Sequence, residues 1–470
     1  MRIHVVEAGE SVWEISRRYQ TDINQIILVN QLENPNVLVV GQALVIPEPG
    51  REYVVQAGDT LWGIAQRFGV SVQELAEVNQ ITNPSLLYIG EMLVLPYFPH
   101  MVQPGESLWA MAQRYGVSMN QIIAVNNIAD PNMLFIGQIL YIPRRPRPVK
   151  DINAYTTSMD EEGSSEVLAL GRNFTYIAPF TYSIKEDGFI TELQDMAVLE
   201  AARPTNTAPL LVLTNFSNGS FDSDIAATIL RNTELQEILI TNILDTMEAK
   251  GHTGVNLDFE YVYPEDRENY NNFLRRTVAR LHPEGYTVST ALAPKDRAGQ
   301  EGLLYEAHDY PAHGEIVDFV VLMTYEWGWA GGRPLAIAPI NEVREVLDYA
   351  VTEIPREKIL MGIPLYGRDW RIPWVEGTFA RTVSPMEALQ LAADYGAAIE
   401  YDETYQSPFF RYVDETAQEH EVWFEDARSM QVKYETIEEY GLRGGSYWVL
   451  GIPFPQNWPV LRDRFTIRKL

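Results

Sequence analysis

The hydrophobic pattern at the front of the chain repeats three times. Short alternating runs such as Tyr53-Val54-Val55 read as strands, and each is followed by two stretches with helical spacing and a closing apolar run. The unit recurs about every 48 residues. It opens on Gly9-Glu10-Ser11-Val12-Trp13, Gly58-Asp59-Thr60-Leu61-Trp62 and Gly105-Glu106-Ser107-Leu108-Trp109. An Arg-aromatic pair follows each time (Arg18-Tyr19, Arg67-Phe68, Arg114-Tyr115), and a second apolar segment ends at Asn30, Asn79 or Asn126. Asn34-Pro35, Asn83-Pro84 and Asp130-Pro131 mark a turn before the last strand, which runs from Gly41 to Pro47, Gly90 to Pro96 or Gly137 to Pro143. The local order is therefore β-α-α-β, in units spanning residues 3–47, 52–96 and 100–143. Trp13, Ile15, Ser16 and Tyr19 share one helix face with their equivalents, so Trp13, Trp62 and Trp109 are expected to pack inward. Ser11, Thr60 and Ser107 suit a helix cap and equally a ligand contact.

Residues 144–150 (Arg144-Arg145-Pro146-Arg147-Pro148-Val149-Lys150) read as an extended, solvated linker. From Asp151 the pattern changes. Eight buried-strand runs alternate with helical stretches: Ile152–Tyr155, Phe174–Pro179, Leu210–Thr214, Gly254–Phe259, Thr287–Ala293, Val317–Thr324, Ile359–Pro364 and Gly445–Val449. Ile225–Arg231, Leu235–Lys250, Glu265–Leu281 and Ile340–Glu353 are among the helical stretches. Eight βα units over residues 151–470 predict a (β/α)₈ TIM barrel. The stretch from about 372 to 442 is too long for one helix and carries strand-like pieces at Phe409–Val413 and Glu421–Phe424. A small α+β insertion between strands seven and eight is expected there, in a multidomain chain.

Composition narrows the function classes. The 470 residues are 46% hydrophobic and 21% charged, and none is cysteine, which excludes disulfides and thiol chemistry. A formal net charge of −28 argues against nucleic acid as a partner. No apolar run approaches the ~20 residues that span a bilayer. The first repeat begins at residue 3 and leaves no evident room for a signal peptide. Seven histidines lie scattered without ligand spacing, so neither a metal nor a cofactor is expected.

The candidate chemistry lies on the fourth predicted strand, Gly254-Val255-Asn256-Leu257-Asp258-Phe259-Glu260. Alternate side chains share a face, so Asn256, Asp258 and Glu260 all point into the barrel. Two carboxylates there resist joint ionisation, which favours a proton on the outermost, Glu260. A protonated Glu260 near neutral pH is what a general acid for a glycosidic oxygen requires. An amide at Asn256 is able to hydrogen-bond Asp258.

Two family resemblances rest on these residues. Residues 3–143 resemble three LysM modules, which implies binding of N-acetylglucosamine-containing glycans, peptidoglycan or chitin, with linked sites raising avidity. The fourth strand resembles the D-G-x-D-x-D-x-E signature of glycoside hydrolase family 18, with Thr253 and Asn256 in place of its first and middle Asp. Met323-Thr324-Tyr325-Glu326 is similar to that family's M-x-Y-D, and Tyr366-Gly367-Arg368-Asp369-Trp370 to its Y-G-R-x-W. By this resemblance Glu260 donates the proton, Asp258 stands beside it, and Tyr325 holds the substrate acetamide. Asn256, Met323, Glu326, Tyr366 and Arg368 join the substrate site, with Trp448 beneath the −1 sugar and Tyr155 as a wall.

The family mechanism is the substrate-assisted exception to the two-carboxylate scheme. The combination looks like the spore-cortex glucosaminidases of endospore-forming bacteria, which implies a location at the spore cortex, coat or wall; members of that type usually carry two LysM repeats rather than three. A chitinase and a non-catalytic wall-binding protein are the alternatives. Exo or endo action and oligomeric state stay open.

Overall fold

The computed structural model describes residues 1–470, which form two compact units. The first, Met1–Leu38 and Ala43–Pro148 with Arg462–Phe465, holds three βααβ repeats. In each, the outer strands pair antiparallel: Arg2–Val5 with Ala43–Ile46, Glu52–Val54 with Met92–Val94, and Tyr97–Met101 with Ile139–Pro143. The two helices pack on that hairpin around a small core, which in the first repeat is Val6, Val12, Ile15, Ile26, Leu44 and Ile46.

The recurring asparagine closes each repeat. Asn79 Nδ2 donates to the Leu75 carbonyl and to the Val94 carbonyl, both at 2.8 Å, while its Oδ1 accepts from Val94 N–H at 2.7 Å. Asn30 and Asn126 make the same three bonds. One amide thus ties the last helical turn to the final strand and satisfies backbone groups that neither element pairs by itself.

Two expectations for this unit are corrected. Trp13, Trp62 and Trp109 do not pack inward; they are 58%, 66% and 63% exposed. Each is the second residue of its helix, and the inward face is taken by the residues beside it, Val12 and Ile15 in the first repeat and Leu61 and Ile64 in the second. The 144–150 stretch is extended and exposed at Arg145, Pro146, Pro148 and Val149, as a spacer would be, but Arg144 and Arg147 are docked rather than solvated. The Arg144 guanidinium binds Glu52 at 2.9 Å and the Leu95 carbonyl at 3.1 Å, and Arg147 donates to the Val78 carbonyl at 2.7 Å. Glu52 is held below the usual carboxylate range by the N-terminal amine and Arg144, against a burial effect that raises it. The charge of the buried acid draws the Arg144 guanidinium out of water while the Pro-rich backbone stays extended.

The second unit, from Val149, is a closed barrel of eight parallel strands: β1 Val149–Thr156, β2 Tyr176–Pro179, β3 Ala208–Thr214, β4 Gly254–Asp258, β5 Thr287–Leu292, β6 Phe319–Leu322, β7 Ile359–Pro364 and β8 Gly444–Trp448. Each pairs with its sequence neighbour, and β8 pairs with β1 to close the cylinder. The register brings Thr214 of β3 opposite Asp258 of β4 and Pro364 of β7 opposite Trp448 of β8. The TIM-type architecture expected from the alternating pattern is what the chain forms. Tyr155, Tyr176, Val212, Ala291, Phe319, Val321 and Leu360 fill its interior.

Between β7 and β8 lies a five-stranded antiparallel sheet with the helix Pro385–Asp394. It starts at Gly367–Ile372, directly after β7 and earlier than residue 372, because that segment pairs with Glu419–Trp423. Gly367 has no room for a side chain: a Cβ would stand 2.4 Å from the Trp423 carbonyl oxygen. Arg368 therefore belongs to the insertion rather than to the barrel. No helix is long and apolar enough to cross a membrane.

Candidate active site

Active-site groups of parallel barrels gather where strands end and loops begin, and here that rim collects most of the candidate residues. β4 ends at Asp258, and Glu260 stands two residues on, on the same face. Asp258 is buried, and its Oδ1 has no protein hydrogen-bond partner. Burial lifts the Asp258 carboxyl to about 7. Glu260 is pushed well above the usual carboxylate range, first by burial and then by the charge of Asp258. Two acids in one buried pocket cannot both ionise cheaply, which favours a proton held by the pair.

The amide of Asn256 is committed elsewhere. Its Oδ1 accepts from the Tyr155 hydroxyl at 2.7 Å, and its Nδ2 donates to Ser289 Oγ at 3.0 Å. The expected Asn256–Asp258 hydrogen bond does not form, because Tyr155 from β1 and Ser289 from β5 satisfy both ends of the amide. Tyr155 is consequently tied by its hydroxyl to Asn256 on β4. Its ring meets Trp448 edge-on, with centroids 5.5 Å apart, and Phe180 meets the same indole at 4.9 Å. Met323 packs against the same cluster.

Tyr325 lies beyond the end of β6, and its phenol is raised well above its ordinary value by burial, with Tyr155, Tyr366, Asp258 and Glu260 adding to the rise. Gly362 of β7 makes the room: a Cβ there would stand 2.8 Å from Tyr325 Cε1 and 2.5 Å from the Leu322 carbonyl oxygen. The following residue, Glu326, takes a left-handed φ of 68°, which turns its carboxylate toward the insertion. There it accepts from the Tyr366 hydroxyl and from Arg368 Nη2 at 2.8 Å. Arg368 also lies over the Tyr366 ring at 4.7 Å. Burial and Glu326 raise the Tyr366 phenol well above its ordinary value.

Ser11, Thr60 and Ser107 belong to the other unit. Their side chains accept from the backbone N–H groups of Glu14, Gly63 and Ala110, so each caps the first helix of its repeat.

Sequence reasoning missed three residues that hold the end of β4. Asn215, directly after β3, exchanges two hydrogen bonds with the Glu260 backbone, at 2.8 and 3.0 Å. His308 Nδ1 accepts from Ala293 N–H at 2.8 Å, which leaves Nε2–H to donate to the Phe259 carbonyl at 2.9 Å. Burial pushes this imidazole down to about 4, so it stays neutral and keeps that tautomer. Ser223 donates to the Tyr261 carbonyl at 2.5 Å. The position of Asn215 at a strand end was the available signal; nothing in the sequence around His308 marks it.

Two buried acids at the end of β4, a buried tyrosine after β6 and an aromatic cluster at one rim of a parallel barrel are groups suited to glycoside hydrolysis. The family comparison agrees: residues 201–451 match glycosyl hydrolases family 18, and residues 4–47, 53–96 and 100–143 match the LysM domain. The chain belongs to glycosyl hydrolase family 18 and carries three LysM repeats. It is similar along its whole length to the cortical fragment-lytic enzyme of Bacillus subtilis (strain 168), with 44% identity covering 100% of this chain and 99% of that protein. The crystal structure of the Bacillus cereus spore cortex-lytic enzyme SleL superposes with a TM-score of 0.78 at 40% identity, covering 100% of this chain and 98% of that one. A chitinase from Chromobacterium violaceum matches 67% of the chain and 99% of its own, at 26% identity and a TM-score of 0.63.

Proposed function

We propose that this enzyme cleaves glycosidic bonds following N-acetylglucosamine in peptidoglycan, the spore cortex or its fragments, with the repeats anchoring it to the glycan. The observation that carries the catalytic half is the buried Asp258–Glu260 pair at the end of β4, where burial raises both carboxyls and favours a proton on the pair. The name of the full-length relative supports the cortex as substrate.

Glu260 protonates the glycosidic oxygen as the bond to the anomeric carbon breaks. The 2-acetamido carbonyl oxygen of the same sugar attacks that carbon from the opposite face and gives an oxazolinium ion. Asp258, ionised once the pair has given up its proton, faces the ring N–H and offsets its positive charge. The Tyr325 hydroxyl orients the acetamide, and Tyr155 and Asn256 hold the floor beneath. Water then adds to the anomeric carbon and returns its proton to Glu260, with net retention. Only sugars with a 2-acetamido group qualify.

The exposed Trp13, Trp62 and Trp109 support the binding half. An indole fixed by helix register and left in water offers a flat apolar face to a pyranose ring, and three linked copies suit a polymer. The names of the relatives, a cortical fragment-lytic enzyme and a spore cortex-lytic enzyme, support a location at the spore cortex, coat or wall.

Glu260→Gln tests the assignment: turnover is expected to vanish while sedimentation with insoluble peptidoglycan is retained. Turnover near wild type would sink it. Mass spectrometry of products from cortex fragments and from chitin oligomers separates the cortex reading from a chitinase, and absence of reducing sugar from every acetamido glycan would leave a binding protein.

A further inference from the structure

The acid has a second layer of support that lies outside the sugar pocket. The β3–β4 ladder runs from Leu210 opposite Gly254 to Thr214 opposite Asp258, and there the backbone pairing stops. Three residues further, Tyr261 takes a left-handed φ of 54°, so the chain leaves the strand direction immediately after Glu260. The N–H and C=O of Glu260 would then lose their ladder partners at the rim of the barrel, at the cost that unpaired buried backbone carries.

Asn215 answers both groups. Its side chain is the size of one peptide unit, with one acceptor and donors in the same plane. Oδ1 accepts from Glu260 N–H at 3.0 Å, and Nδ2 donates to the Glu260 carbonyl at 2.8 Å. The amide is itself fixed. Asn215 is fully buried, its Nδ2 also donates to the Asp222 carbonyl at 3.0 Å, and its backbone carbonyl accepts from Asp222 N–H at 2.9 Å. The hairpin of Phe216–Ser217 and Ser220–Phe221 closes the loop between those two residues.

We propose that Asn215 is a positioning residue for the general acid: it extends the β3–β4 ladder by one side-chain peptide mimic and so sets the depth and direction of the Glu260 carboxyl. His308 and Ser223 hold the carbonyls on either side, of Phe259 and Tyr261. Asn215 spends both ends of its amide on backbone and makes no claim on substrate. The geometry of a general acid tolerates about half an ångström of error, and a displacement near 1 Å costs on the order of 100-fold in rate.

This inference rests on the assignment of Glu260 as the acid, so its test has one arm that does not depend on activity. Hydrogen exchange of the 255–263 peptide in the full-length enzyme reads the Glu260 amide directly. Asn215→Ala is expected to release that amide to fast exchange, to lower kcat about 10- to 100-fold with KM within about twofold, and to shift the basic limb of the pH–rate profile. Asn215→Asp, close in size, keeps an acceptor for Glu260 N–H but faces the Glu260 carbonyl with an oxygen. It is expected to fall between wild type and alanine in exchange, and it serves where the alanine variant does not fold. An unchanged exchange rate with unchanged kcat overturns the proposal. So does a kcat loss that tracks only the folded fraction while the pH profile stays put. Wild-type enzyme inert on all acetamido glycans would instead remove the assignment of Glu260, and the exchange result would still report on the clamp.

Discussion

Replacing Asp258 by asparagine is expected to abolish turnover and yet stabilise the barrel at neutral pH. The carboxyl is buried beside Glu260 with one oxygen unpaired, and burial raises it from 3.8 to about 7. The sign follows from linkage. Below pH 3.8 both folded and unfolded chains hold the proton, and the group contributes nothing. Between pH 4 and 7 the unfolded chain ionises while the folded one keeps its proton, so stability falls as pH rises, and above about pH 7 the loss levels off.

At about 1.4 kcal/mol per pKa unit, the loss relative to an uncharged isostere reaches about 4 kcal/mol. For a unit of roughly 320 residues with an unfolding entropy of roughly 2.1 cal/mol/K per residue, that is about 6 °C in Tm. The assay is calorimetric unfolding of wild type and Asp258→Asn at pH 4, 6 and 8, following the barrel transition. The gap should be near zero at pH 4 and fully open at pH 8. A gap of equal size at all three pH values, or a variant less stable than wild type at pH 8, refutes the burial argument.

Gly362→Ala should displace Tyr325, since the added methyl meets its ring and the Leu322 carbonyl; overpacking of this kind costs about 1–3 kcal/mol, and kcat should fall with it. Circular-dichroism melts paired with a reducing-sugar assay read both, and wild-type turnover would show that the Tyr325 ring needs no such clearance. Tyr155→Phe leaves the Asn256 carbonyl oxygen without its 2.7 Å donor, an expected loss of about 1–3 kcal/mol in denaturant unfolding; no change would mean that the amide turns to another partner. Asn79→Ala breaks three backbone bonds of the second repeat, and should destabilise that repeat by about 1–3 kcal/mol in hydrogen exchange while barrel turnover on soluble fragments is unchanged. Replacing Trp13, Trp62 and Trp109 together by alanine should change stability by no more than about 0.5 kcal/mol per site, because each is exposed, yet reduce retention on insoluble peptidoglycan; undiminished retention argues that the repeats hold glycan elsewhere.

Much of this protein is legible in its sequence, for a local reason. Strand and helix periods repeat at short range, so eight βα units and three βααβ repeats show themselves in the order of apolar residues, and alternation along one strand puts Asn256, Asp258 and Glu260 on one face. Relations between distant segments are not written locally. Whether Trp13 faces core or water depends on which neighbours fill a core of only a few side chains, and Val12 and Ile15 take that place. Whether Arg144 floats or docks depends on a buried Glu52 about ninety positions away. The Asn256 amide could reach Asp258 by spacing alone; only closure of the barrel, which brings Tyr155 from β1 and Ser289 from β5 to it, decides otherwise. The sequence by itself determined the elements, the barrel and the placing of Asn256, Asp258 and Glu260 along one segment of chain. The tertiary structure decided what surrounds those acids, from the burial that favours a proton on them to the Asn215 amide that holds Glu260 in place, because desolvation and hydrogen-bond pairing exist only once the β-strands have met.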